Sequence, residues 1–271
     1  YIFSERLLGG IKTATVSAAN TFYMNYTDII ERFVLTCGTE KFKSHIEYLC
    51  QSNPSYLTAR NMVQDELSTL SNCNYLVHGA MLLSGDGRTA YTLYNNPLYE
   101  TAEELFSSAE LSQIKGISFL EERKSPFRSR VSVIPILFPV SIITQYVELD
   151  LSDSAPDAFV IIFLDSSKLQ TCLNLTNASE TDNIYYLLAA DGRLLNNPSA
   201  EKTAEISAIL DREQTKELLD TAVWNASDCS TFVSPDCYVA AYGLRFGDMI
   251  LLNCAHRETF LDIFGKTGFT L

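Results

Sequence analysis

Leu7, Ile11, Ala14, Ala18, Phe22, Ile29 and Phe33 recur at intervals of three, four or seven, with hydroxyl, amide and charged side chains between them. That period puts the apolar residues on one face and predicts an amphipathic helix from residue 1 to about 36. At about 1.5 Å per residue such a helix runs roughly 50 Å, more than one small domain is wide, so it is expected to lie along two. Cys37-Gly38 supplies the stop, because glycine accepts the left-handed conformation that ends many helices. Two shorter helices are predicted near 40–51 and 54–71, the second opened by Asn53-Pro54.

From about residue 75 the pattern turns to strands, and it does so twice. Met81-Leu82-Leu83-Ser84-Gly85-Asp86-Gly87-Arg88 and Tyr186-Leu187-Leu188-Ala189-Ala190-Asp191-Gly192-Arg193 agree at five of eight positions. Each is an apolar run ending in Asp-Gly, which predicts a strand, a tight type I′ turn and a returning strand. Downstream, Tyr146-Val147 leads to the apolar run 159–164 and Tyr238-Val239 leads to 249–252, each followed by polar, helix-like sequence. One α+β module thus occurs twice, 105 residues apart, and the expected fold is a long helix followed by two antiparallel sheets with flanking helices. The expected division is 1–72 for the helices, 73–165 for the first module and 166–271 for the second. Further strands are expected at 131–138 and 142–149, joined at Pro139, and further helices at 102–113, 166–175, 211–224 and from about 257.

A chain of 271 residues, 46% hydrophobic and 20% charged, suits two globular domains. The net charge of −13 opposes binding to nucleic acid or to an anionic membrane surface. The most apolar stretch, 131–147, is interrupted by Pro135 and Pro139 and is shorter than the roughly 20 residues a span needs. Because the chain opens on Tyr1, we expect an excised piece whose membrane contact runs only through flanking spans.

Short catalytic and cofactor motifs fail in turn. Gly85-Asp86-Gly87-Arg88-Thr89-Ala90 has dinucleotide-fingerprint spacing, but Tyr91-Thr92-Leu93-Tyr94 continues as strand where a helix N-terminus is required. Gly265-Lys266-Thr267 lacks the first P-loop glycine, since position 260 is Phe. The three histidines, His45, His78 and His256, show no zinc spacing, and no nucleophile elbow occurs. Asp150, Asp153 and Asp157 do not follow EF-hand spacing and read as a solvated loop. We therefore expect no cofactor, no metal and no catalytic residue, while a hydrolase with unmarked carboxylates remains an alternative. Of seven cysteines only Cys229 and Cys237 are close enough in sequence to suggest a disulfide between neighbouring strands.

The long helix, the two modules and the repeated hairpin together resemble the double Cache, or tandem PAS-like, sensor domains of bacterial transmembrane receptors. The run Ala158-Phe159-Val160-Ile161-Ile162-Phe163-Leu164-Asp165-Ser166-Ser167-Lys168-Leu169 is similar to the strand that closes a first Cache module. The resemblance implies an extracytoplasmic domain between two spans, with a small ligand held in the membrane-distal module. Occupancy is then passed to a histidine kinase, chemotaxis or AraC-type output, and a homodimer forms through the N-terminal helix. Amino-acid-binding members carry an R-x-W-Y element where this chain reads Arg128-Ser129-Arg130-Val131, so the Trp-Tyr part is absent, while Asp165 matches their closing Asp. The ligand-binding candidates are accordingly Arg128, Arg130 and Asp165, with His78, Tyr91 and Tyr146 as lining, and the Arg pair is suited to an anionic group. A protein-interaction or dimerisation module without a small ligand is the second reading.

Overall fold

A computed structural model describes residues 2–51, 54–93, 105–127, 130–141, 156–175, 183–196, 206, 209–210, 216–217, 229–234, 237–244, 246 and 249–256. The first helix, α1 (Ile2–Cys37), has the extent its apolar stripe predicts, with Ile11, Phe22, Ile29 and Phe33 buried. The chain forms two compact units, 25–168 and 1–24 with 169–271, so α1 contributes residues to both. Helices α2 (Glu40–Leu49), α3 (Tyr56–Met62) and α4 (Gln64–Ser71) follow. The single helix expected over 54–71 is therefore two, parted at Val63, and Ser55 rather than Asn53 stands before the first of them.

In the unit 25–168 the strands are β1 (Val77–Ser84), β2 (Ala90–Thr92), β3 (Ser118–Phe119), β4 (Arg123–Lys124), β5 (Ser132–Val140) and β6 (Ala158–Asp165). The short helix α5 (Ser108–Ser112) lies between β2 and β3 in sequence. All pairings are antiparallel, in the order β2-β1-β6-β5-β3, with β4 also on β5. Strand alternation divides the sheet into two faces. On one, Phe138 stacks on Phe33 of α1 at 4.2 Å between ring centroids. On the other, Met81, Leu83, Val133, Leu137, Phe159, Ile161 and Phe163 pack under Leu105, Phe106, Leu111, Ile114, Leu120 and Phe127. Strand β5 runs straight through Pro135 and Pro139 instead of ending at the second. It can do so because Pro135 meets only the short edge segment on that side, where its carbonyl accepts from Leu120 N at 2.9 Å and its missing N–H is at the sheet edge.

The other unit begins after β6 with helix α6 (Ser166–Asn174) straddling the boundary. Its strands are β7 (Asn183–Ala189), β8 (Cys229–Val233), β9 (Cys237–Gly243) and β10 (Met249–His256) in the order β7-β10-β9-β8. In both sheets the first strand pairs with the last, the last with the one before it, and that one with an earlier strand. The sequence repeat is therefore a repeat of topology, and the fold is α+β with two antiparallel sheets. Asn196 takes the place of a partner strand at the free edge of β7: its Oδ1 accepts from Leu187 N and its Nδ2 donates to Tyr185 O.

Both Asp-Gly hairpins form, but not as type I′ turns. The closing bonds are Gly87 N to Ser84 O at 2.8 Å and Gly192 N to Ala189 O at 2.9 Å, so each glycine stands after the turn rather than within it. Their φ values of 72° and 84° are left-handed; in the second hairpin, where Ala189 N donates to Arg193 O, this gives a turn followed by a glycine bulge, while in the first Ser84 N donates to Thr89 O across a loop one residue longer. Aspartate sits within each turn and accepts from the backbone N of Arg88 or Arg193 at 3.0 Å. The expected disulfide is absent: all seven cysteines are free. Cys229 pairs with Tyr242, whereas Cys237 lies beyond the Val233–Tyr238 pair at the other end of the β8–β9 hairpin. The expected strand 142–149 and the helices at 211–224 and after 257 fall mainly outside the described residues, as does most of the Asp-rich loop.

Candidate functional site

The covered face of the first sheet ends in polar groups at one rim, and strand parity sets which ones. Along β6, Phe159, Ile161 and Phe163 face the cover, so Asp165 falls on the same side, opposite Val133. The parity of β1 would turn His78 away, because Met81 and Leu83 face the cover. A bulge between Val77 and Gly79 resets it, and the His78 ring lies 5.9 Å from that of Phe127. Phe127 in turn stands edge-on to Phe163 at 5.2 Å. A Cβ on Gly79 would come 2.5 Å from the Phe127 ring, so glycine is what lets the aromatic side chain lie across β1.

The loop that carries the arginines is rooted at this rim. β4 pairs with the start of β5, Ser125 N donates to Val131 O at 2.9 Å, and Ser125 Oγ accepts from Phe127 N at 3.1 Å. Arg130 is exposed at the end of the loop, and Arg128 lies outside the described residues, as does Tyr146. Tyr91 is not part of the rim. It pairs with Leu82, on the opposite face of the sheet, and stacks on Tyr56 of α3 at 5.3 Å. Of the six candidates, His78 and Asp165 are thus brought to one rim, with Arg130 on the adjoining loop.

Asp165 also has a local task. Its Oδ1 accepts from Ser167 N at 3.0 Å and Lys168 N at 3.1 Å, capping α6 at the two positions an N-cap normally serves. Ser166 Oγ donates to Glu122 Oε2 at 2.7 Å, tying the helix start to the segment before β4. Burial pushes the His78 pKa below its ordinary value, Asp165 opposes this and Lys168 adds to it, so the imidazole is neutral at neutral pH. The rim offers a neutral donor and acceptor, a carboxyl group and an aromatic ring.

Sequence reasoning missed Arg123 and Phe127, which lie in what reads as a charged, irregular passage. Arg123 donates to Leu105 O at 2.6 Å and to Glu110 Oε1 at 2.9 Å, and its guanidinium sits 4.9 Å from the Phe106 ring centroid. One side chain therefore fastens the cover to the sheet through two charge-assisted bonds and a cation–π contact. An arginine three residues after the Phe119-Leu120 pair was the available signal, but nothing in its spacing marked an anchor.

The two tasks of Asp165 are separable. Asp165→Asn keeps a capping oxygen and is expected to leave thermal stability nearly unchanged, whereas Asp165→Ala should cost about 0.5–2 kcal/mol. Equal destabilisation by both in urea melts would show that the cap is not what Asp165 contributes.

No family profile matches the chain, and no curated protein matches it either. Solved structures do. Methyl-accepting chemotaxis protein X superposes with a TM-score of 0.58 at 12% identity, covering 95% of this chain and 100% of that one. An extracellular domain assigned to a histidine kinase, rpHK1S-Z16, gives 0.55 at 14% identity, covering 96% and 99%. The ligand-binding domain of the Pseudomonas aeruginosa amino acid chemoreceptor PctB, in complex with L-Arg, gives 0.52 at 15% identity, covering 97% and 91%. The chain shares the fold of these solved domains over nearly its whole length.

Proposed function

We propose that the chain is the extracytoplasmic, small-molecule-binding region of a bacterial transmembrane receptor, and that it is a sensor without catalytic activity of its own. The observation that carries this is the first sheet, with one face closed by a segment held by Arg123 and a rim that brings His78, Asp165 and Phe127 together. The likeness to ligand-binding and extracellular domains over nearly the whole chain supports it. No helix among the described residues is long and apolar enough to cross a membrane. On this reading 73–165 is the membrane-distal, ligand-holding module and 166–271 the proximal one. The output is a histidine kinase, an AraC-type regulator or a chemotaxis domain. A ligand shifts that output only by binding one signalling state better than the other.

The reading includes a homodimer through α1, and the outward side of that helix supports it. Val16, Asn20, Tyr23, Thr27, Ile30 and Val34 are spaced four, three, four, three and four apart, carry no charge, and are exposed or half-buried, the Tyr23 ring also meeting that of Phe246 at 5.7 Å. That is the spacing of a coiled-coil seam. Four of the nine large apolar side chains exposed among the described residues are on α1, Met24 at 71% and Leu35 at 70% among them.

Two measurements test these proposals. In a thermal-shift panel of amino acids, organic acids, amines, nucleosides and sugars, one chemical class at one hundred times its dissociation constant should add about 2.7 kcal/mol, or roughly 5 to 11 °C. A flat panel favours the interaction-module reading. In sedimentation equilibrium the chain should self-associate, Ile30→Asp with Val34→Asp should return it to monomer, and Arg32→Asp should not. Self-association that ignores the seam variants removes α1 as the interface.

A further inference from the structure

Helices α1, α2 and α4 enclose a titratable cluster that the ligand site does not use. His45 of α2 and Glu66 of α4 are each 6% exposed. His45 Nδ1 stands 3.5 Å from Glu66 Oε1, and neither that nitrogen nor Glu66 Oε2 has a hydrogen-bond partner. Each of these two neighbouring buried side chains thus keeps one polar atom unmet. Around them, Lys41 of α2 lies 3.4 Å from Glu66 Oε1 and from Asp65 Oδ2, with its side chain 59% exposed. Cys37, at the end of α1, is held as a thiol by burial and, secondarily, by the charge of Glu66. Arg60, the charged residue of α3, is turned to the carbonyls of Thr92 and Leu93.

We infer that His45 and Glu66 form a buried proton-binding site joining α2 to α4, which makes the helical layer of the unit 25–168 sensitive to acid independently of any ligand. A neutral His45 ring donates from one nitrogen only, while an imidazolium would donate from both beside the Glu66 side chain. Burial opposes that charge more strongly than Glu66 favours it, and Lys41 adds to the opposition, so His45 titrates below its ordinary 6.5. The folded state therefore holds fewer protons than the unfolded one near that pH. The stability this contributes is complete above about 6.5 and declines as pH falls through 6.5 toward the lower folded value.

With three histidines in the 271-residue chain, the imidazole proton resonances can be followed one by one. His45→Gln assigns its signal and should lessen the loss of Tm between pH 7.5 and 5, while His78→Gln separates the rim histidine's share. Glu66→Gln should move the His45 midpoint further down, and Lys41→Met, a surface change, should move it up. A His45 midpoint at or above 6.5, or one that neither Glu66→Gln nor Lys41→Met displaces, overturns the inference.

Discussion

The constraint on which the first unit depends is the double-sided burial of β6. All eight residues from Ala158 to Asp165 are buried, so the strand must be apolar toward the helices and apolar toward the cover. Fully burying a Phe, Leu or Ile contributes about 1.5–3 kcal/mol, and β6 supplies Phe159, Ile161, Ile162, Phe163 and Leu164 in one run. A slip of one residue against β1 or β5 would exchange the two faces and bring Asp165 to the helical side. Register here is therefore a condition for the site as well as for the fold.

Two departures from regular strand geometry then fashion the rim. The bulge after Val77 lets His78 and Gly79 both address the cover, which a straight strand forbids. Gly79 makes room for Phe127, Phe127 bears on Phe163, and Arg123 holds the covering segment from the other side of the same loop. Among the described residues, the second sheet repeats the topology without this equipment. Its free edge is closed by the Asn196 amide, and toward α1 it buries Asn253, whose Nδ2 donates to Thr15 Oγ1 at 3.1 Å.

Much of this was legible in the chain. The stripe from Leu7 to Phe33 has one period and one interpretation, and the repeated octet marks two hairpins that recur at equivalent places in two sheets. Asp165 was singled out at the end of the closing strand, and the structure adds its capping of α6. The turn type was not, because Asp-Gly serves both a two-residue turn and a turn with a glycine bulge, and only the hydrogen-bond partner of the glycine distinguishes them. The direction of His78 was hidden by a bulge that leaves no mark in alternation. Cys229 and Cys237 failed for a related reason: nearness in sequence across a hairpin says nothing of register, which puts them at opposite ends. The placement of Tyr91 beside Tyr56 of α3 was not legible either, because sequence cannot say which face of a strand meets the helices.

The central claim, that a small solute is held over the first sheet, is tested most directly by amide hydrogen exchange with and without a solute that stabilises the chain. The account predicts added protection in 77–84, 118–127 and 158–168, the strands and cover of the rim, with little change in 183–189 and 237–256. Protection confined to the second sheet, or spread equally over both, would contradict it.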